Sequence, residues 1–176
     1  MRYKALFLDR DGVINVDHGY VYQIENFEFT KGIFELLHLF IAKNYKLFIV
    51  TNQSGIGRGY YTEDDFSNLT KIMLNEFKKN KITIEDVQYC THAPEDKCNC
   101  RKPATGMIDN IVSKYQIDLK NSWLIGDKQS DVDLAYNASI KNTIAIGERI
   151  IKSADLSFET ILSCKCYLEE NQAKIV

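Results

Sequence analysis

Three short apolar runs in this chain each stop at a polar residue capable of chemistry, and that pattern restricts the fold more than any other feature. Tyr3 to Leu8 stops at Asp9, Lys46 to Val50 at Thr51 and Asn52, and Ser122 to Ile125 at Gly126 and Asp127. Apolar runs this short, bounded by turn residues, read as strands buried on both faces. Ile84 to Tyr89 and Asn142 to Ile146 are two further strands. Helical stretches lie between them. Gly32 to Asn44 carries apolar residues at 33, 34, 36, 37, 40 and 41, one stripe of a helix. Thr62 to Asn80 opens with Thr62 as N-cap and Asp65 in the capping-box position. Thr105 is expected to cap a helix to about Tyr115, Ser130 a short helix, and Phe158 to Glu170 a terminal one. Strands alternating with helices, without hairpin signals, predict an α/β fold: a Rossmann-like three-layer αβα arrangement on a mostly parallel sheet. Ligands of such sheets bind beyond the C-terminal strand ends. Asp9, Thr51, Asn52 and Asp127 are therefore expected to converge.

Composition narrows the function. The chain has 176 residues, 45% of them hydrophobic and 26% charged, with a net charge of −2. That length predicts one domain over 1–176, large enough to bury its own core. The charge balance lacks the basic excess of a nucleic-acid or membrane-surface binder. The longest apolar region, 33–50, is interrupted by Glu35, His38, Lys43, Asn44 and Lys46, so no membrane span is expected. Acids follow the N-terminal apolar run at once, unlike a signal peptide. The expectation is a cytoplasmic protein whose five cysteines are not a disulfide set. With no heptad seam, a monomer is expected.

Asp9 and Asp11, two apart in an extended segment, are expected on one side, with Arg10 pointing away and Gly12 turning the chain. One carboxylate can attack phosphorus. The other can protonate a leaving oxygen and then activate water. Two anions meeting need a cation, and oxygen donors such as Asp9, Asp127 and a backbone carbonyl suit Mg²⁺. Thr51 and Asn52 offer donors to phosphate oxygens. Lys102 offers a full charge where negative charge accumulates. Asp131 reads either as a partner of Lys102 or as an acid offsetting a helix dipole. A DxDG segment alone is also an ordinary turn. Its company of TNQSG, RKP and GDKxxD, in that order, is what makes it chemical.

Cys90, His92, Cys98 and Cys100 form C-x-H-x5-C-x-C, a complete tetrahedral set for structural zinc. Four protein ligands leave no open position, so the expected role is to shape the loop over 90–100 that delivers Arg101 and Lys102. Cys164 and Cys166 read as small packing residues. His38 is expected at the core or its boundary, and Tyr22, Phe27 and Phe29 in the core.

The segments LFLDRDGVIN, FIVTNQSGIGRG, CRKP and LIGDKQSDVDLA resemble the haloacid dehalogenase superfamily over roughly residues 3 to 147. The resemblance implies Asp9 as nucleophile, Asp11 as general acid/base, and Thr51 and Lys102 holding the transferring phosphoryl group. It implies Mg²⁺ on Asp9, the Asp11 carbonyl and Asp127. About forty residues between Asp9 and Thr51, and about fifty between Thr51 and Lys102, leave no room for a cap domain. Within the superfamily, NVDHGYVYQIENFEF, TNQSGIGRGYYTEDDF and RKPATGM resemble heptose bisphosphate phosphatases. That implies removal of the C7 phosphate of D-glycero-D-manno-heptose 1,7-bisphosphate, in nucleotide-activated heptose synthesis for surface polysaccharide. It implies substrate contacts at Asp17, His18, Gly19, Tyr20, Thr51, Asn52, Gln53, Ser54, Arg101 and Lys128. Arg101, with its fork of donors, suits a second phosphate. The five residues between His92 and Cys98 match histidinol phosphatases instead, and Thr91 stands where proline is frequent. Histidinol phosphatase is therefore the alternative, and a non-catalytic zinc-loop protein the second. The anomer is left open.

Overall fold

The computed structural model describes residues 2–175. Six strands form one sheet: β1 (Lys4–Leu8), β2 (Tyr45–Asn52), β3 (Ile84–Cys90), β4 (Trp123–Gly126), β5 (Asn142–Ile146) and β6 (Leu156–Phe158). Their order is β3-β2-β1-β4-β5-β6, and each neighbouring pair is parallel. Six α-helices accompany them: α1 (Ile33–Ala42), α2 (Ser54–Gly57), α3 (Glu63–Lys79), α4 (Gly106–Lys114), α5 (Gln129–Asn137) and α6 (Ile161–Glu170).

Alternation along the central strand builds the two outer layers. Leu6 and Leu8 of β1 face a core shared with Leu36, Leu37 and Phe40 of α1, Met73 and Phe77 of α3, and Cys164 and Leu168 of α6. Ala5 and Phe7 face the opposite way, with Met107, Ile108 and Ile111 of α4 and Leu134 and Ala135 of α5. Each large apolar side chain sealed in this way contributes roughly 1.5–3 kcal/mol from burial.

The capping box of α3 forms as expected. Asp65 N–H donates to Thr62 Oγ1 at 3.1 Å, and Thr62 N–H donates to Asp65 Oδ2 at 2.8 Å. Other expectations need correction. The N-cap of α5 is Lys128, not Ser130, because the Asp131 carboxylate accepts the Lys128 N–H at 3.0 Å. Thr105 precedes α4 but makes no cap bond; its hydroxyl donates to Asp109 Oδ2 at 2.8 Å. The terminal helix starts at Ile161 rather than Phe158, because Leu156 to Phe158 pair with β5. His38 is exposed, on the solvent side of α1. Tyr22, Phe27 and Phe29 are half-buried, the two phenylalanines packed against the larger core.

Parallel strands bring every C-terminal end to one edge. β1 pairs with β2 on one side and β4 on the other, so Asp9 leaves the sheet between Thr51 and Asp127. The Asp9 N–H donates to Ile125 O at 3.0 Å, holding the first residue beyond β1 in register with β4.

Candidate active site

Asp9, Thr51, Lys102, Asp127 and Asp131 are all buried at this edge. Lys102 Nζ lies 3.0 Å from Asp9 Oδ1 and 2.6 Å from Asp131 Oδ1, and donates to Val50 O at 3.0 Å. Its three protons therefore have three partners. Burial works against its charge, but Asp131 and Asp9 more than restore it and hold the ammonium above its ordinary value. Burial also pushes the Asp9 carboxyl up, to about 7, with Lys102 opposing and Asp131 and Asp127 adding to the rise. Asp127 is raised chiefly by burial as well. Asp131 meets both expectations held for it. One oxygen pairs with Lys102, and the other accepts the Asp127 and Lys128 N–H groups at 3.2 and 3.0 Å, fixing the start of α5.

These residues fit a hard divalent cation. Carboxylate oxygens of Asp9, Asp127 and Asp131 lie within 4.8 Å of one another. Asp127 Oδ1 is buried and accepts no hydrogen bond among the described residues. Three buried carboxylates face one buried ammonium, so the site carries excess negative charge. Gly12, at φ 84°, makes this closeness possible: a Cβ there would sit 2.4 Å from Asp127 Oδ2.

Arg10 does not point away, and its burial explains why. Its side chain folds back into the protein, where Nε and Nη2 donate to Asp11 Oδ1 at 3.2 and 2.8 Å and Nη2 also reaches Asp11 Oδ2 at 3.0 Å. Asn15 Nδ2 donates to Oδ1 at 3.0 Å, and Gln53 Nε2 to Oδ2 at 3.1 Å. The same Gln53 nitrogen donates to Thr51 Oγ1 at 2.8 Å, and its carbonyl accepts the Tyr61 hydroxyl. Burial pushes that hydroxyl up to about 12. Gln53 is thus buried and its amide is taken by the protein. Asn52 likewise pairs with the Lys102 backbone, accepting its N–H at 3.0 Å. Arg10, Asn15 and Tyr61 were missed from sequence. The only available signal for Arg10 was a basic residue enclosed by two acids directly after a buried strand.

An open cleft of about 300 Å³ leads outward, lined by Asp11, Asp17, Tyr20, Ser54, Arg101 and Lys128, with Gly19, Asn52 and Gln53 also on its wall. Lys128 Nζ is 3.7 Å from Asp17 Oδ2 and 3.8 Å from Asp127 Oδ1. Asp17 Oδ1 accepts the Gly19 N–H at 2.9 Å, closing the turn that presents Tyr20. His18 does not join the cleft wall: its exposed ring sits 3.9 Å from the Glu28 carboxylate. A larger cleft of about 600 Å³ opens beyond Asp127, lined by Lys31, Glu148 and Arg149 among others.

The Cys/His set gathers as the spacing predicts. Cys90, Cys98 and Cys100 Sγ atoms are 3.1–3.5 Å apart, and His92 Nδ1 lies 3.5 and 3.3 Å from Cys90 and Cys100. Tetrahedral zinc with bonds of about 2.3 Å sets its sulfurs roughly 3.8 Å apart, so the donor set and its spacing fit that ion. Burial opposes the Cys98 thiolate, yet the Arg101 N–H and Cys100 bring the thiol down to about 7. The Arg101 N–H donates to Cys98 Sγ at 3.3 Å, so the cluster adjoins the residue before Lys102 directly.

Comparison with known proteins agrees with this geometry. The family model described as polynucleotide kinase 3 phosphatase matches residues 7–165. The D-glycero-alpha-D-manno-heptose-1,7-bisphosphate 7-phosphatase of Campylobacter jejuni is 53% identical over 148 residues, 84% of this chain and 85% of that protein. The corresponding beta-anomer enzyme of Helicobacter pylori is 46% identical over 167 residues, 94% of each chain. The chain belongs to the heptose-1,7-bisphosphate 7-phosphatase family. Solved structures share the fold of this family member. The D,D-heptose 1,7-bisphosphate phosphatase of B. bronchiseptica, complexed with magnesium and phosphate, superposes with a TM-score of 0.83 at 23% identity, over 96% of this chain and 99% of that one. A putative haloacid-dehalogenase-like phosphatase of Mesorhizobium loti gives 0.83 at 25% identity, over 99% and 86%.

Proposed function

We propose that this chain is a phosphoric monoester hydrolase that removes the C7 phosphate of D-glycero-D-manno-heptose 1,7-bisphosphate. The reading places it in nucleotide-activated heptose synthesis. The observation that carries it is the buried ring of Asp9, Lys102, Asp131 and Asp127 beside Asp11, in a chain whose relatives bear that activity. Asp9 is the nucleophile: Oδ1 is held by Lys102 and by the Arg10 N–H at 2.7 Å, and Oδ2 accepts no hydrogen bond among the described residues. Asp9 and Asp127, with the Asp11 carbonyl, hold Mg²⁺. When bound, that ion would offset the repulsion between an anionic nucleophile and an anionic phosphate.

The chemistry has two steps. An Asp9 oxygen bonds to phosphorus while the bond from phosphorus to the sugar oxygen breaks, and Asp11 gives that oxygen its proton. Asp11 then takes a proton from water, whose oxygen attacks phosphorus and releases Asp9 and inorganic phosphate. Thr51 and Lys102 orient the phosphoryl oxygens. Arg101 and Lys128, on the rim of the 300 Å³ cleft, suit the second phosphate and the sugar hydroxyls. Zinc on Cys90, His92, Cys98 and Cys100 keeps the 90–100 loop in shape. The whole is read as one catalytic unit with no inserted cap, acting as a monomer.

Phosphate release with Mg²⁺ tests this on both heptose bisphosphate anomers and on histidinol phosphate, with Asp9→Asn as control. Preference for a heptose anomer, lost in Asp9→Asn, is the expected outcome. Because relatives differ in anomer, the ratio between anomers assigns the preference here. Faster release from histidinol phosphate replaces the reading with the alternative suggested by the short zinc loop. Release that survives Asp9→Asn removes the nucleophile assignment.

A further inference from the structure

Arg10 is one of the largest fully buried side chains and is 1% exposed. A guanidinium is costly to bury unless its donors are used; here Nε and Nη2 are used, while Nη1 has no partner among the described residues. Here the backbone and the side chain of this one residue grip the two chemical carboxylates. The N–H donates to Asp9 Oδ1, while Nε and Nη2 form a fork on Asp11. The guanidinium is anchored by Val21 O, and its Cζ stands 5.7 Å from the Phe66 ring centroid.

The grip is uneven. Asp11 Oδ1 accepts three donors, from Arg10 Nε, Arg10 Nη2 and Asn15 Nδ2. Oδ2 accepts two, Arg10 Nη2 and Gln53 Nε2. That Gln53 nitrogen also holds Thr51 Oγ1, so Oδ2 is the oxygen turned toward the phosphate-holding end of β2. We propose that Arg10 is the positioning residue for Asp11: with Asn15 it pins Oδ1 by three bonds, and with Gln53 it orients the less encumbered Oδ2, the oxygen that exchanges protons with substrate and water. This rests on the acid/base role of Asp11. In the first half-reaction the Oδ2 proton moves to the sugar oxygen as its bond to phosphorus breaks. In the second, Oδ2 takes a proton from the attacking water and returns to its starting state.

Leaving-group dependence separates this role from a merely structural one. A sugar alkoxide needs a proton as it departs; p-nitrophenolate does not. Arg10→Lys keeps the charge but loses the fork. It is expected to lower kcat/KM on the heptose bisphosphate by about 10- to 100-fold, while kcat/KM on p-nitrophenyl phosphate stays within about threefold. Asp11→Asn gives the same pattern in kcat/KM, more deeply, and lowers kcat on both substrates because they share the water-activating step. Equal losses on both substrates, in protein with unchanged melting temperature, make Arg10 structural and overturn the proposal; so does no loss at all. If Arg10→Lys does not fold, Asn15→Ala removes the other Oδ1 donor and is expected to show the same selective loss, with equal losses again overturning it. If Asp11→Asn itself shows no leaving-group dependence, the acid/base reading falls. If Asp11→Asn shows it and Arg10→Lys does not, only the role of Arg10 falls.

Discussion

Among the described residues Lys102 carries the most concentrated charge pairing, and its surroundings fix what single substitutions do. Asp131→Ala leaves it with one carboxylate and also strips the acceptor from two N–H groups at the start of α5. Lys102 keeps Asp9, so the main cost is the N–H groups left without their acceptor, about 1–3 kcal/mol, read as a lower denaturation midpoint in urea. The Asp9 carboxyl, raised by burial to about 7, gives a second expectation. A carboxyl that binds its proton more tightly folded than unfolded stabilises fully below its unfolded value near 4. That stability is lost as pH rises to about 7. In protein dialysed free of added Mg²⁺, the melting temperature should fall across that window. Mg²⁺ should raise it more at about pH 7.5 than at about pH 5, since the cation binds the ionised form. Equal shifts at both values would remove Asp9 from the cation site. Asp9, Thr51, Lys102 and Asp127 were legible in sequence because each follows a strand or a conspicuous loop motif. Arg10 was not, and Gln53 was expected to meet substrate rather than Asp11 and Thr51, since spacing along the chain does not show where a long side chain folds back.

Two elements depend on each other where Gly57 meets the Cys/His loop. The Gly57 N–H of α2 donates to Thr91 O at 2.9 Å, and a Cβ at Gly57 would sit 2.6 Å from that oxygen and 3.1 Å from Ala93 N. The Cys/His loop therefore lies directly on α2, whose first residue, Ser54, lines the 300 Å³ cleft. In protein loaded with zinc, Gly57→Ala should push them apart, giving faster release of that zinc to a chelating dye and a kcat reduced about tenfold as Lys102 loses its fixed approach. Unchanged zinc release would show that the contact is incidental. Four residues are too few to announce a helix by periodicity, so α2 was not legible in SGIG. Likewise β6 is three residues long, and only its pairing with β5 distinguishes it from the helix that follows. The long elements were legible from their apolar period. α5 began earlier than expected because an acid three residues into a helix can accept the first N–H groups as well as a serine can.

Across the whole molecule, the segment without a motif proves to be part of the core. Leu168 and Cys164 of α6 are fully buried against the layer formed with α1. Leu168→Ala is expected to cost about 2–5 kcal/mol in denaturant unfolding while leaving kcat at permissive temperature unchanged. A cost below about 1 kcal/mol would mean that α6 is only loosely docked. The strand order has a different consequence, which concerns the time before the chain is finished. β1 is made first but ends up in the middle, and its second partner, β4, begins only at Trp123. At about 5–20 residues per second, synthesis of the stretch from β2 to β4 takes roughly 4–14 s. Throughout that interval the nascent chain carries Leu6 to Leu8 with one unpaired backbone edge, a surface open to wrong strand pairing that the finished sheet no longer has at β1.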